Sequence, residues 1–230
     1  FESGPSEPAL SRPVARPAPG SPSPTAWWRL PEVCSVNRLA ARADFRHYPS
    51  AAAARARGPS PWEVSLDGPW NFRLFPTPER ALGALETSEH GQEIQVPGHW
   101  VLQGYGRPHY TNQQLPFKPD DPPEPPADNP TGLYRRLFSV PSEWLGRRVI
   151  VRFSAADSML MLFLNHRFVG VSKDSRLPAE FDLTTLLQPG PNELQAVVPQ
   201  WSDSTYIEDQ DQWWLPGLPR AVTLYSTPTS

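Results

Sequence analysis

The chain carries a single cysteine, Cys34, in 230 residues, which excludes an intramolecular disulfide and any zinc site built from four thiolates. That scarcity agrees with a reducing compartment, and cytoplasmic localisation is the expectation. No apolar run approaches the roughly 20 residues needed to cross a bilayer. The opening residues FESGPSEPAL also lack the charged-then-apolar order of a secretory signal, so no membrane partner is expected. A basic surplus is missing too: 21 Lys and Arg against 24 Asp and Glu leave a formal net charge of -3. With nothing in excess to neutralise phosphates, nucleic acid is not an expected partner. Finally, no long stripe of apolar residues repeats every 3.6 positions, which argues against a helical bundle.

What the chain has instead is proline, 31 residues of it, unevenly spread. From Phe1 to about Pro61 the composition is dominated by Pro, Ala, Ser and Arg, too poor in apolar surface to offset the entropy of ordering the chain. Residues 1–60 are therefore expected to form a largely disordered arm. Within it, Pro31 to Tyr48 has apolar groups and few breakers and could lie extended on another surface. Residues 61–230 form the expected folded domain. There WNFRLF, EIQV, LYRRLFSV, RRVIVRF, SMLMLFL, RFVGVS, NELQAVV and AVTLY each read as short strands. About eight strands without helical periodicity predict an all-β sandwich, with a jelly roll as the first choice. Asn165-His166 between two apolar runs predicts a hairpin turn, because Asn tolerates positive φ.

Seven prolines fall in the fifteen residues from Pro116 to Pro130. Pro fixes φ and cannot donate to a ladder, so this stretch reads as an ordered crossover loop within the domain, with a linker or a proline-recognition target as alternatives. Pro199 should likewise sit at an edge or bulge.

The segment WSDSTYIEDQDQWW, 201 to 214, gathers Asp203, Glu208, Asp209 and Asp211 among three tryptophans and a tyrosine. Carboxylates accept from sugar hydroxyls and aromatic faces pack on the C–H face of a pyranose, so the composition suits a carbohydrate. A solvated acidic turn over core tryptophans fits the same composition.

Five segments, LDGPWNFRLFPTPE, VPGHWVLQGYGRPHYTN, DNPTGLYRRLFSV, VGVSKDSRLPAEFDL and WSDSTYIEDQDQWW, in this order and spacing, resemble the N-terminal sugar-binding domain of glycoside hydrolase family 2, best matching β-galactosidases of the large bacterial type. The resemblance covers Leu66 to about Thr229, and VNRLAARADF adds a weaker match to the segment preceding that domain. It implies a jelly roll of the galactose-binding-domain-like kind, followed in the complete enzyme by an immunoglobulin-like domain and a TIM barrel that carries two catalytic glutamates. These act with retention on terminal β-galactosides such as lactose, and retaining pairs stand about 5 Å apart. No catalytic residue is expected in this chain, and its two ends read as those of a piece. β-Glucuronidases and β-mannosidases share the domain, and a free-standing lectin-like module remains an alternative.

Two residues match the family's site positions. Asn112, in HYTN, falls where the family places an asparagine that bonds the galactose. Asp211, in EDQDQW, falls where it places an aspartate that contacts the sugar and ligates sodium. An amide offers a donor and an acceptor to a hydroxyl pair, and a carboxylate suits a hard cation. The alternatives are a turn residue for Asn112 and a pair with Arg220 for Asp211. Magnesium in the full enzyme would be held by ligands outside this chain. Asp203, Glu208 and Asp209 read as scaffolding, Trp213 and Trp214 as packing groups, and His99 and His109 as structural, with no metal-ligand spacing between them. Pro219 and Ala221 depart from the family pattern at the loop's end. The resemblance further implies a homo-oligomer, a tetramer in the large bacterial type, that the arm helps to assemble.

Overall fold

The computed structural model describes residues 26–89, 91–112, 114–118, 121–208 and 210–228. In chain order its strands are β1 (Ser35–Val36), β2 (Glu63–Ser65), β3 (Gly68–Phe75), β4 (Gln92–Val96), β5 (Gly98–His99), β6 (His109–Thr111), β7 (Thr131–Ser139), β8 (Arg148–Phe153), β9 (Leu160–Leu164), β10 (Arg167–Ser172), β11 (Ala179–Asp182), β12 (Pro191–Pro199), β13 (Gln212–Trp214), β14 (Gly217–Leu218) and β15 (Val222–Thr227). Two short helices, α1 (Ala51–Ala56) and α2 (Pro78–Gly83), accompany them. A large sheet runs β1-β10-β9-β12-β7-β3-β4 and faces a smaller one, β11-β8-β15-β2. Two ribbons, β13-β6 and β14-β5, stand apart from the sheets. The arrangement is the all-β sandwich expected from the sequence.

All eight anticipated runs coincide with strands of these sheets. The main core lies between the sheets, where Trp70, Phe72 and Tyr134 of the large one meet Val151, Phe153, Phe181 and Leu224 of the small one. In β9, Leu160, Leu162 and Leu164 enter this core, whereas Met161 and Phe163 point to a second cluster on the other face of the large sheet with Trp27, Trp28, Ala81 and Leu85. Burial on both faces explains why LMLFL shows no polar alternation. The β9–β10 hairpin closes on Asn165 and His166 at φ 51° and 64°, the two consecutive positive values of a type I′ turn. Asn165 also ties the turn to β12: its Oδ1 accepts from the Glu193 amide at 2.9 Å.

The arm departs from expectation. Residues 1–25 lie outside the described residues, but the folded unit begins well before residue 61. Trp27 and Trp28 are buried in the second cluster, and β1 extends the large sheet by pairing with β10. Further along, Leu39 donates its amide to the Glu180 carbonyl at 2.9 Å and Arg42 pairs with the Glu180 carboxylate at 2.7 Å. The segment from 31 to 48 thus lies on this domain's own sheets. Composition misled because a few large residues of the arm, Trp27, Trp28 and Val33, are buried in a background that is otherwise poor in core-forming side chains.

The strands β2 and β11 were not legible. β11 carries Glu180, which reads as a solvent-facing charge but is buried against Arg42 and accepts from the Tyr225 hydroxyl at 2.9 Å. Pro199 sits at the end of the inner strand β12 rather than at a sheet edge, opposite Thr131, where its carbonyl accepts from Ser158. A strand's last position loses little ladder bonding to the missing donor. The proline-rich crossover packs on the loop that follows β12: Phe117 meets Trp201 and Tyr206, and Asn129 exchanges two bonds with the Trp201 backbone at 2.8 and 2.9 Å.

Candidate functional site

The loop from Trp201 to Trp214 is built on a buried foundation. Trp201 meets Trp214, His109 and Phe117 at ring-centroid distances of 5.6, 5.9 and 5.3 Å. Ser202 caps the turn Asp203–Tyr206 through a capping box with Thr205, which satisfies backbone donors at its start. Asp203 is buried against the Lys173 ammonium at 2.6 Å, and that ammonium also donates to the Leu30 carbonyl at 2.7 Å. Glu208 accepts from the Ser175 amide and hydroxyl and lies 3.8 Å from Arg176. Asp203 and Glu208 are therefore scaffolding; Asp209 lies outside the described residues.

Beyond this foundation the chain forms the ribbon β6–β13, with Thr111 opposite Gln212, Tyr110 opposite Trp213 and His109 opposite Trp214. Continuing that register by one step sets Asn112 across from Asp211. The two residues singled out by the sequence, 99 positions apart, thus lie one residue beyond the same end of one ribbon, and both are exposed. The Tyr110 hydroxyl donates to Asp211 Oδ1 at 2.6 Å, and this bond holds the phenol above its ordinary pKa. Arg220 takes no part; it donates to the Arg176 carbonyl at 2.9 Å.

Trp213 corrects an expectation. Trp214 is buried and its indole donates to Thr111 Oγ1 at 3.0 Å, but Trp213 is 55% exposed and tilts against Tyr110 at 5.5 Å. Strand alternation is the reason: neighbours in β13 face opposite sides, and this two-stranded ribbon buries the Trp214 side while leaving the Trp213 side open. The WW doublet in an alternating segment was the signal that could have found it.

On the other flank of β13 lies a polar cleft of about 320 Å³ lined by His99, Asp157, Ser175, Arg176, Gln212 and Trp213. Its floor is fixed where Gly217 and Asp157 exchange backbone bonds at 2.9 and 3.0 Å. Gly217 needs φ 137°, and a Cβ there would stand 2.8 Å from the Gly98 carbonyl, so only glycine fits. Burial pushes the Asp157 carboxyl up to about 6, with Arg176 at 3.5 Å opposing the rise and Glu208 adding to it. Burial likewise lowers the pKa of His99, against the pull of the Leu215 and Pro216 carbonyls. Sequence reasoning missed Asp157 and Arg176, since neither belongs to the aromatic and acidic loop. His109 is exposed and packs edge-on to Trp201. Among the described residues no three His, Cys, Asp or Glu side chains gather as metal ligands, and no helix is long and apolar enough to cross a membrane.

Comparison with known proteins identifies the fold. A family model described as the sugar binding domain of the glycosyl hydrolases family 2 matches residues 64–228. A β-galactosidase of Psychromonas ingrahamii is 43% identical over 205 residues, 87% of this chain and 20% of that protein. One of Aeromonas hydrophila is 44% identical over 213 residues, 87% of this chain and 21% of its own length. The chain thus spans about a fifth of these relatives. Among solved structures, β-glucuronidase 2 of Bacteroides uniformis superposes with TM-score 0.54 at 22% identity, covering 72% of this chain and 18% of that one. The β-glucuronidase of Bifidobacterium dentium gives 0.52 at 24%, covering 74% and 31%. These two share the fold. The family match over most of the chain, with relatives above 40% identity, shows that the chain belongs to glycoside hydrolase family 2 as its sugar-binding domain.

Proposed function

We propose that this chain is the first domain of a β-galactosidase that releases terminal β-galactose with retention, and that it lends Asn112 and Asp211 to a galactose site completed by a barrel elsewhere in the same protein. The observation that supports this reading is the β6–β13 register, which ends with Thr111 opposite Gln212 and leaves Asn112 and Asp211, both exposed, one residue beyond the same ribbon end. There Asn112 offers an amide donor and acceptor and Asp211 an acceptor, the set that a pair of sugar hydroxyls requires. The Tyr110 hydroxyl orients the Asp211 carboxylate. A carboxylate in the open also fits a sodium ion, to which it would contribute one ligand while other parts of the protein supply the rest. Magnesium belongs, on this reading, to ligands outside the chain.

The test replaces the matching first domain of the Psychromonas ingrahamii β-galactosidase with residues 26–228 of this chain. In the active chimera, Asp211→Asn should lower kcat/KM for a chromogenic β-galactoside by roughly 10- to 100-fold, the effect of losing one charge-assisted bond. It should also flatten the response to sodium. Wild-type kinetics across a sodium titration would overturn the assignment of Asp211, and Asn112→Ala with unchanged KM would overturn that of Asn112.

A further inference from the structure

We propose that the pocket between the arm and the outer face of the small sheet is an anion site, which takes a free oxyanion of phosphate size beside His47 and Arg152. It shares no lining residue with the cleft at Asp157 or with the ribbon end, so it stands whether or not that end holds a sugar. Strand alternation builds its floor. Val151, Phe153, Val222 and Leu224 point into the core, which turns Arg152 and Thr223 outward. Glu63 and Tyr225, opposite each other in β2 and β15, line the same pocket. The arm from Arg42 to His47 walls the other side, and the two enclose about 180 Å³, too little for a sugar-sized molecule and enough for one small ion.

Charge selects the sign of that ion. Three ion pairs surround the pocket: Arg42 with Glu180 at 2.7 Å, Arg46 with Glu63 at 3.2 Å, and Arg152 with Asp44. Arg147, over the Trp62 ring at 3.7 Å, is a fourth guanidinium and donates to the Ser226 carbonyl at 3.2 Å rather than to a carboxylate. Four guanidinium groups thus stand against three carboxylates. The surplus is felt inside: burial first, then Arg42 and Arg147, lower the pKa of His47. The pairs are not equally fixed. Glu180 is buried, but the Asp44 and Arg46 side chains are 70% and 57% exposed, so their pairs are weak and open to exchange.

Unmet hydrogen bonds point the same way. Among the described residues, Arg152 Nε and His47 Nε2 are buried without a partner, and leaving such groups unbonded is costly. A guanidinium nitrogen can only donate, and the imidazole nitrogen donates in one neutral tautomer and in the cation. Two donors in a positive field call for an anionic acceptor and disfavour a metal ion. Arginine forks match the oxygens of phosphate. The His47 ring is held by Phe45, edge-on at 4.8 Å, and by Tyr225, stacked at 6.3 Å, so its free nitrogen has a fixed place. An oxyanion entering the pocket displaces the exposed Asp44 carboxylate from Arg152 and accepts from both nitrogens.

The test titrates the 230-residue chain with inorganic phosphate at fixed pH and ionic strength, chloride making up the balance. Heteronuclear NMR follows the arginine Nε–H and tryptophan indole signals. The Arg152 Nε–H and the Trp62 indole should shift together and saturate, with a dissociation constant of about 1 mM, as for a few charge-assisted bonds in a small open site. His47→Phe keeps a ring against Phe45 and Tyr225 and removes the nitrogen; it should weaken phosphate binding about tenfold. Asp44→Asn removes the competing carboxylate and should tighten phosphate binding about three- to tenfold, a gain that a merely structural ion pair would not give. Near-ultraviolet circular dichroism matching wild type establishes that each variant folds; should His47→Phe unfold, Asp44→Asn, changed at an exposed side chain, decides. Shifts that grow in proportion to phosphate without saturating, or an Asp44→Asn variant that binds no tighter than wild type, would overturn the site.

Discussion

Asp157 shows how far a single residue can stand from its role in the sequence. It lies in an unremarkable SAADS segment, yet its carboxyl is buried beside Arg176 and its pKa is raised to about 6. The folded state therefore holds the proton more tightly than the unfolded chain does. Stability from this group is fully present below pH 4 or so and is lost as pH rises towards 6. A displacement of about two units corresponds to a loss of up to about 3 kcal/mol. In Asp157→Asn that loss cannot occur. Urea unfolding of both proteins at intervals of pH should show the variant gaining on wild type between pH 4 and 6, then holding a constant advantage. A difference that stays flat across this range would refute the raised pKa, and comparing the two proteins cancels the opposing contributions of His47 and His99, whose pKa values are lowered mainly by burial. Nothing in one sequence announces such a residue, because burial comes from the Gly217 contact sixty positions away. Asn112 and Asp211, in contrast, each sit inside a motif, and the strand register ends one residue short of both.

At the scale of elements, periodicity located the central strands and failed at the periphery. The run LMLFL and the hairpin at Asn165-His166 could be read directly, since local propensity and burial agree there. The arm could not, because its contribution is a few large contacts in a polar background. Trp28 is 2% exposed, and Trp27 stacks on Phe168 at 6.3 Å. Both cover Met161 and Phe163 on the outer face of the large sheet. Trp28→Ala should therefore destabilise the protein by about 3–5 kcal/mol, as for other buried aromatic truncations. A chain beginning at Asn37 should lose at least as much and expose enough of the sheet to bind a hydrophobic dye. If the segment were only a tail, both proteins would match the wild-type urea midpoint.

At the scale of the whole molecule, the described residues supply a sugar-binding domain whose acids around the ribbon are held in structural contacts. A retaining mechanism needs two carboxyl groups about 5 Å apart, one able to attack and one able to hand over a proton. The acids around the ribbon are already engaged: Asp203 by Lys173, Glu208 by Ser175 and Arg176, Asp157 by Arg176, and Asp211 by Tyr110. Only Asp211 among these stands in the open, one residue beyond the paired register of β13 and β6. The expected outcome is that the purified chain binds galactosides weakly but does not hydrolyse a chromogenic β-galactoside above the buffer rate, at any pH from about 4 to 8, the span over which carboxyl groups with ordinary or raised pKa values titrate. Saturable turnover that survives repeated purification and disappears in Asp211→Asn would place a catalytic carboxylate in this domain, and the division of labour between sugar-binding ribbon and separate barrel would have to be abandoned.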